Sequence, residues 1–131
     1  MKLFLNVLLA VSILPFSMIF DDLPTGNWGG QHISLEVTET GGKLEFDCAH
    51  GEINSKIVLD KQRRFSVTGT YVEEHGGPVR QSDNPQSQKV LYIGQLTGNK
   101  IKLTIKRSDT KEVIGTFTLT RGQEAFIVKC R

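Results

Sequence analysis

From Trp28 onward the chain alternates apolar and polar residues in short runs, broken by clusters of Gly, Asn, Asp and Pro. A period of two places successive side chains on opposite faces of a strand, and no apolar stripe at helical spacing occurs. A first strand over about 28–39 sets Ile33, Leu35 and Val37 against Ser34, Glu36 and Thr38 and turns at Thr40-Gly41-Gly42. A second over about 43–50 puts Leu44, Phe46, Cys48 and His50 on one face and Lys43, Glu45 and Asp47 on the other. Further strands are predicted over about 55–60, 64–74, 89–97, 100–106, 112–120 and 125–130, with tight turns at Thr97-Gly98-Asn99 and Arg121-Gly122-Gln123. The stretch 75–88 (HGGPVRQSDNPQSQ) has no periodicity and reads as the one long loop.

These eight segments predict an all-β domain, an eight-stranded antiparallel meander closed into a β-barrel, because closure removes exposed strand edges. A two-sheet β-sandwich is the alternative. Mid-strand Gly69, Gly94 and Gly115 mark either kinks or interior space.

Residues 3–20 (LFLNVLLAVSILPFSMIF) follow Lys2 and are almost wholly apolar, the layout of a secretory signal peptide. Residues 1–20 are therefore assigned to a signal peptide and 21–131 to a single barrel domain, secreted or periplasmic. No small-x-small triplet precedes Asp21, so an uncleaved anchor that holds the protein to the membrane through residues 3–20 stays open. The 131-residue chain has a formal charge of +2 with the signs interspersed, which argues against nucleic acid as a partner. Membrane contact is expected only through the N-terminal segment.

In an oxidising compartment the two cysteines, Cys48 and Cys130, predict a disulfide, with free thiols or metal ligands as alternatives. Pairing meets a geometric difficulty. In a closed meander the second and eighth strands flank the first at about 9–10 Å, whereas a bridge needs Cα atoms within about 7 Å. The difficulty eases if Gly29-Gly30, which lack side chains, give the sulfurs clearance.

Alternating strand directions bring Trp28, His32, Asp47, Cys48, His50, His75, Cys130 and Arg131 to one end of the barrel, beside the long loop. His32, His50, His75 and Cys48 form a candidate set for zinc or copper, which prefer imidazole and thiolate. Against it stands a plainer reading, in which His50 is a hydrogen-bonded core histidine and His75 begins a turn. The inward aromatics Phe46, Phe65, Tyr71, Phe117 and Phe126 could line an apolar cavity, and the candidate ligand-binding residues are Trp28, His50, Tyr71 and His75. No catalytic residue is assigned. There is no Gly-x-Ser-x-Gly elbow, and Glu73 and Glu74 fall on opposite faces of a strand.

Gly26-Asn27-Trp28 at the opening of the first strand, the meander and a late arginine together resemble the calycin superfamily of lipocalins and avidins. Thr68-Gly69-Thr70-Tyr71 is similar to an avidin strand motif, although it lies in the fourth strand rather than an early one. The resemblance implies that Trp28 packs under Arg131 or Arg121 to close the barrel floor. No biotin-binding or retinoid-binding set carries over.

The leading functional expectation is a non-enzymatic exported barrel that binds a small molecule or a protein partner. A zinc- or copper-binding protein or metalloenzyme is the second reading. A structural envelope protein, or an inhibitor of a secreted enzyme that uses the long loop, is the third.

Overall fold

The computed structural model describes residues 21–74 and 87–130. Ten strands occur among them: β1 (Asp21–Asp22), β2 (Gly26–Gly30), β3 (Ile33–Val37), β4 (Gly42–Phe46), β5 (Ala49–Ile53), β6 (Val58–Leu59), β7 (Arg64–Glu73), β8 (Ser87–Thr97), β9 (Lys100–Arg107) and β10 (Val113–Arg121). Eight of these close into an antiparallel barrel in the order β10-β2-β3-β4-β5-β7-β8-β9, and β1 pairs with β6 outside it. The fold is thus the all-β, eight-stranded closed barrel that the alternation predicts. No helix among the described residues is long and apolar enough to cross a membrane.

The eight barrel strands are not the eight expected ones. The segment expected over 28–39 folds back on itself at Gln31-His32, so that Gly30 faces Ile33 across β2 and β3. The segment expected over 43–50 likewise reverses at Asp47-Cys48, between β4 and β5. Two expected strands leave the barrel in exchange. From 55–60 only Val58–Leu59 is a strand, paired with Asp21–Asp22. The segment 125–130 is an extended strap whose sole bridge is the parallel pair Gln31 and Phe126.

Each added turn resets which residues face inward. After Asp47-Cys48, Ala49, Gly51 and Ile53 are buried while His50 and Glu52 lie on the outer face. His50 is therefore not on the core face shared by Leu44 and Phe46. The reversal at Gln31-His32 requires a left-handed residue, and His32 takes it with φ 68°.

The interior is packed by Leu, Ile, Val, Trp, Phe and Tyr side chains. Its mid-strand glycines are receptacles for rings. A Cβ on Gly51 or Gly69 would collide with Tyr92, and one on Gly94 with Phe65. Tyr92 is fully buried, and its hydroxyl donates to the Thr70 carbonyl at 2.6 Å. Burial pushes the Tyr92 phenol well above its ordinary pKa, with the neighbouring Tyr71 adding to the shift.

The two ends of the barrel differ. We call the end with the turns at Gln31-His32 and Asp47-Cys48 the upper rim; β7 ends there, β8 begins, and β9 passes to β10. At the lower rim Leu23, Ile57 and Leu59 are buried and continuous with the core, with Leu23 N–H bonded to the Ile57 carbonyl at 3.0 Å. These residues plug that end.

Candidate functional site

Trp28 belongs to the core and not to the crowded rim. It is 1% exposed, and its Nε1 donates to the Pro24 carbonyl at 3.2 Å, which draws the indole toward the lower end. Arg121 is its Cα partner across the closing seam between β2 and β10. Arg131 and His75 lie outside the described residues.

The upper rim brings His32, Asp47, Cys48, His50 and Cys130 together around the C-terminal strap. Cys48 and Cys130 form a disulfide with a Cα separation of 5.2 Å. The expected conflict with strand spacing does not arise, because Cys130 is not on a barrel strand. The strap instead climbs over β2, and Gly29 provides clearance for its backbone rather than for sulfur, while Gly30 clears the neighbouring barrel strand β10. A Cβ on Gly29 would meet the Gln123 carbonyl, and one on Gly30 the Thr118 carbonyl. Phe126 N–H then donates to Gly30 O at 3.0 Å, and His32 N–H donates to Phe126 O at 2.8 Å.

Side chains complete the attachment. His32 Nδ1 donates to Asp47 Oδ2 at 2.6 Å, since an ionised carboxylate only accepts. The other oxygen of Asp47 receives Val128 N–H at 3.0 Å, and its carbonyl receives Cys130 N–H at 3.1 Å. Lys129 Nζ spans Glu45 at 2.6 Å and Glu74 at 3.1 Å, and Glu74 also accepts from His50 Nδ1 at 2.9 Å. Burial pushes the Glu74 carboxyl up, but the His50 and Lys129 hydrogen bonds outweigh it and hold its pKa below the ordinary value. Burial pulls Lys129 down, and its bonds to Glu45 and Glu74 outweigh that and raise it.

These contacts alter the metal reading. Cys48 is consumed by the disulfide, so it offers no thiolate, whereas His32 and His50 each set Nδ1 against a carboxylate and leave Nε2 uncommitted to it. Among the described residues no group of three or more His, Cys, Asp or Glu could hold a metal ion. His32 and His50 join the strap's network through Asp47 and Glu74.

Among the described candidate ligand residues, Tyr71 is the one on the inner face near the upper rim. It is half-buried on the inner face of β7 and packs edge-on against Phe46 at 5.4 Å between centroids; Phe46 packs against Phe117 at 5.3 Å. Burial raises the Tyr71 pKa, followed by the charge of Glu73. Its register partner on β8 is Gln88, on the same face as buried Val90 and Tyr92.

Sequence reasoning missed the neighbouring pocket, which is lined by Gln88, Lys89, Arg107, Ser108 and Asp109. Gln88 ends the predicted loop 75–88, and Arg107 to Asp109 fall between the strands predicted over 100–106 and 112–120. The only available signal was the continued alternation of Ile101, Leu103 and Ile105 into Arg107, which puts a cation on the inner face. No protein-family model matches the chain, nor does any curated protein or any solved structure.

Proposed function

We propose that the protein is an exported β-barrel that binds a small ligand at its upper rim, centred on Tyr71. One observation carries this reading. Tyr71 and Phe117 are only partly buried and pack with the buried Phe46 near the upper rim, whereas the interior below is filled by Tyr92 and Phe65 and the lower end is plugged. Apolar walls with a few convergent polar groups are the usual make-up of a small-molecule site. The disulfide supports export, since such bonds persist in oxidising compartments.

The test is an NMR titration with 1-anilinonaphthalene-8-sulfonate, which couples an apolar body to an anion. Saturable shifts centred on Tyr71, Phe46 and Phe117, weakened at least tenfold by Tyr71→Ala in a variant with unchanged circular dichroism, are the expected result. Shifts confined to the strap would overturn it.

A protein partner is the second reading, and it is favoured by Phe126 and Val128, which are 59% and 61% exposed on the strap. Paired outward apolar residues on a fixed extended segment suit a protein contact better than a small molecule. Retention of a binding partner by the intact protein, and its loss in Phe126→Ser, would move the assignment to this surface.

A further inference from the structure

Among the described residues only two buried side-chain polar atoms have no hydrogen-bond partner, Gln88 Oε1 and Ser108 Oγ. Both belong to residues that line the same rim pocket, with Lys89, Arg107 and Asp109. A buried polar group left unpaired costs about 1–3 kcal/mol, so two in one cavity point to something that the cavity receives.

The lining favours an anion. Lys89 and Arg107 supply two positive charges and Asp109 one negative, and Asp109 Oδ1 is already engaged by Thr110 N–H at 2.7 Å. Arg107 reaches Glu112 only at 3.9 Å, too long for a hydrogen bond, so its planar donor fork stays available to an oxyanion. The Ser108 hydroxyl can donate, and a half-turn of the Gln88 amide presents its NH2 in place of Oε1.

The surroundings hold these groups in place. Ser108 N–H bonds the Lys89 carbonyl at 3.1 Å, tying β9 to β8, and Arg107 N–H bonds the Glu112 carbonyl at 2.9 Å across the turn. The pocket measures about 380 Å³, within the range of small-molecule sites and larger than a bare ion needs. Tyr71 is the register partner of Gln88 on the adjacent strand β7.

We infer that Lys89, Arg107, Ser108 and Gln88 form an oxyanion pocket that takes the carboxylate or phosphate group of a small organic acid, whose apolar part lies toward Tyr71. The inference rests on the small-ligand reading for the body of the ligand, whereas the anion pocket is testable with ions alone. Sodium acetate and inorganic phosphate are titrated into the full exported protein at constant ionic strength, with sodium chloride as the control, and amide shifts are followed by NMR.

Saturable shifts at Lys89, Ser108 and Asp109 are expected with acetate or phosphate and not with chloride. Arg107→Gln should weaken binding at least tenfold and Lys89→Gln severalfold, while Arg107→Lys retains part of it. The tighter of the two ions identifies the group. Shifts that follow chloride equally, or that persist unchanged in Arg107→Gln, would overturn the oxyanion pocket. If the naphthalene sulfonate still shifts Tyr71 while neither ion binds, the anion inference fails alone; loss of both responses removes the ligand reading as well.

Discussion

The imidazole of His32 lies 2.6 Å from the carboxylate of Asp47, joining two hairpin turns fifteen residues apart in the chain. Neither turn contains the glycine or asparagine that usually marks one, and Asp47 also carries the strap through Val128. The pair thus fastens the same two reversals that set the barrel's inward-facing residues. Asp47→Ala should cost about 1–2 kcal/mol, the usual range for losing two such hydrogen bonds at a partly exposed site. Urea unfolding gives the loss, and hydrogen exchange at the Val128 amide should accelerate more than exchange in β8.

Acid and base should act on the strap in opposite directions of titration. The Glu74 pKa is depressed, so its contribution is present above the ordinary 4.5 and is lost as pH falls through the lower folded value. The Lys129 pKa is raised, so its contribution is complete below 10.5 and is lost as pH rises through the higher folded value. The attachment should therefore be tightest between these limits. The measurement is hydrogen exchange at residues 126–130 against pH in a Cys48→Ser/Cys130→Ser variant, where no covalent bond masks release. Glu74→Gln should shrink the acidic limb.

Removing the disulfide should lower stability by about 2–4 kcal/mol, as for bridges closing long loops, and here the cysteines are 82 residues apart. The barrel should persist, because β2 and β10 pair directly through Thr120 with Gly29 and Arg121 with Trp28. Denaturation of the double serine variant, together with an unchanged far-ultraviolet spectrum, checks both statements.

The interior glycines should tolerate alanine less well than the turn glycines. Gly94→Ala drives a methyl into the Phe65 ring and should cost about 1–3 kcal/mol by overpacking. Gly122 meets nothing within 4 Å, and only its φ of +73° opposes a side chain, so Gly122→Ala should cost about 1 kcal/mol. Thermal melts of the two variants give the comparison.

Strand type, closure and the disulfide partners were legible from alternation and cysteine count. The two hidden turns were not, because Gln31-His32 holds no Gly, Pro, Asn or Asp and Asp47 stands alone inside an unbroken alternation. A parity clue was nevertheless present: Trp28 and Ile33 are both core residues, as are Phe46 and Ile53, yet each pair is separated by an odd number of positions. An uninterrupted strand would put the members of each pair on opposite faces. Conversely, 125–130 alternates like a strand, but its partners are the Gln31-His32 and Asp47-Cys48 turns, and no periodicity reveals partners. The rim pocket escaped for a similar reason. Its groups come from Gln88 and Arg107, on neighbouring strands whose pairing is set by the register of β8 with β9.

Tyr92 and Phe65, seated over glycines of the strands beside their own, fill volume that a carrier barrel would give to its cargo. The protein is in this sense a host already occupied by its own resident guest. Shortening either ring, rather than rebuilding the wall, is the direct route to hollowing a deep chamber in this scaffold. The glycines would already form its contoured lining.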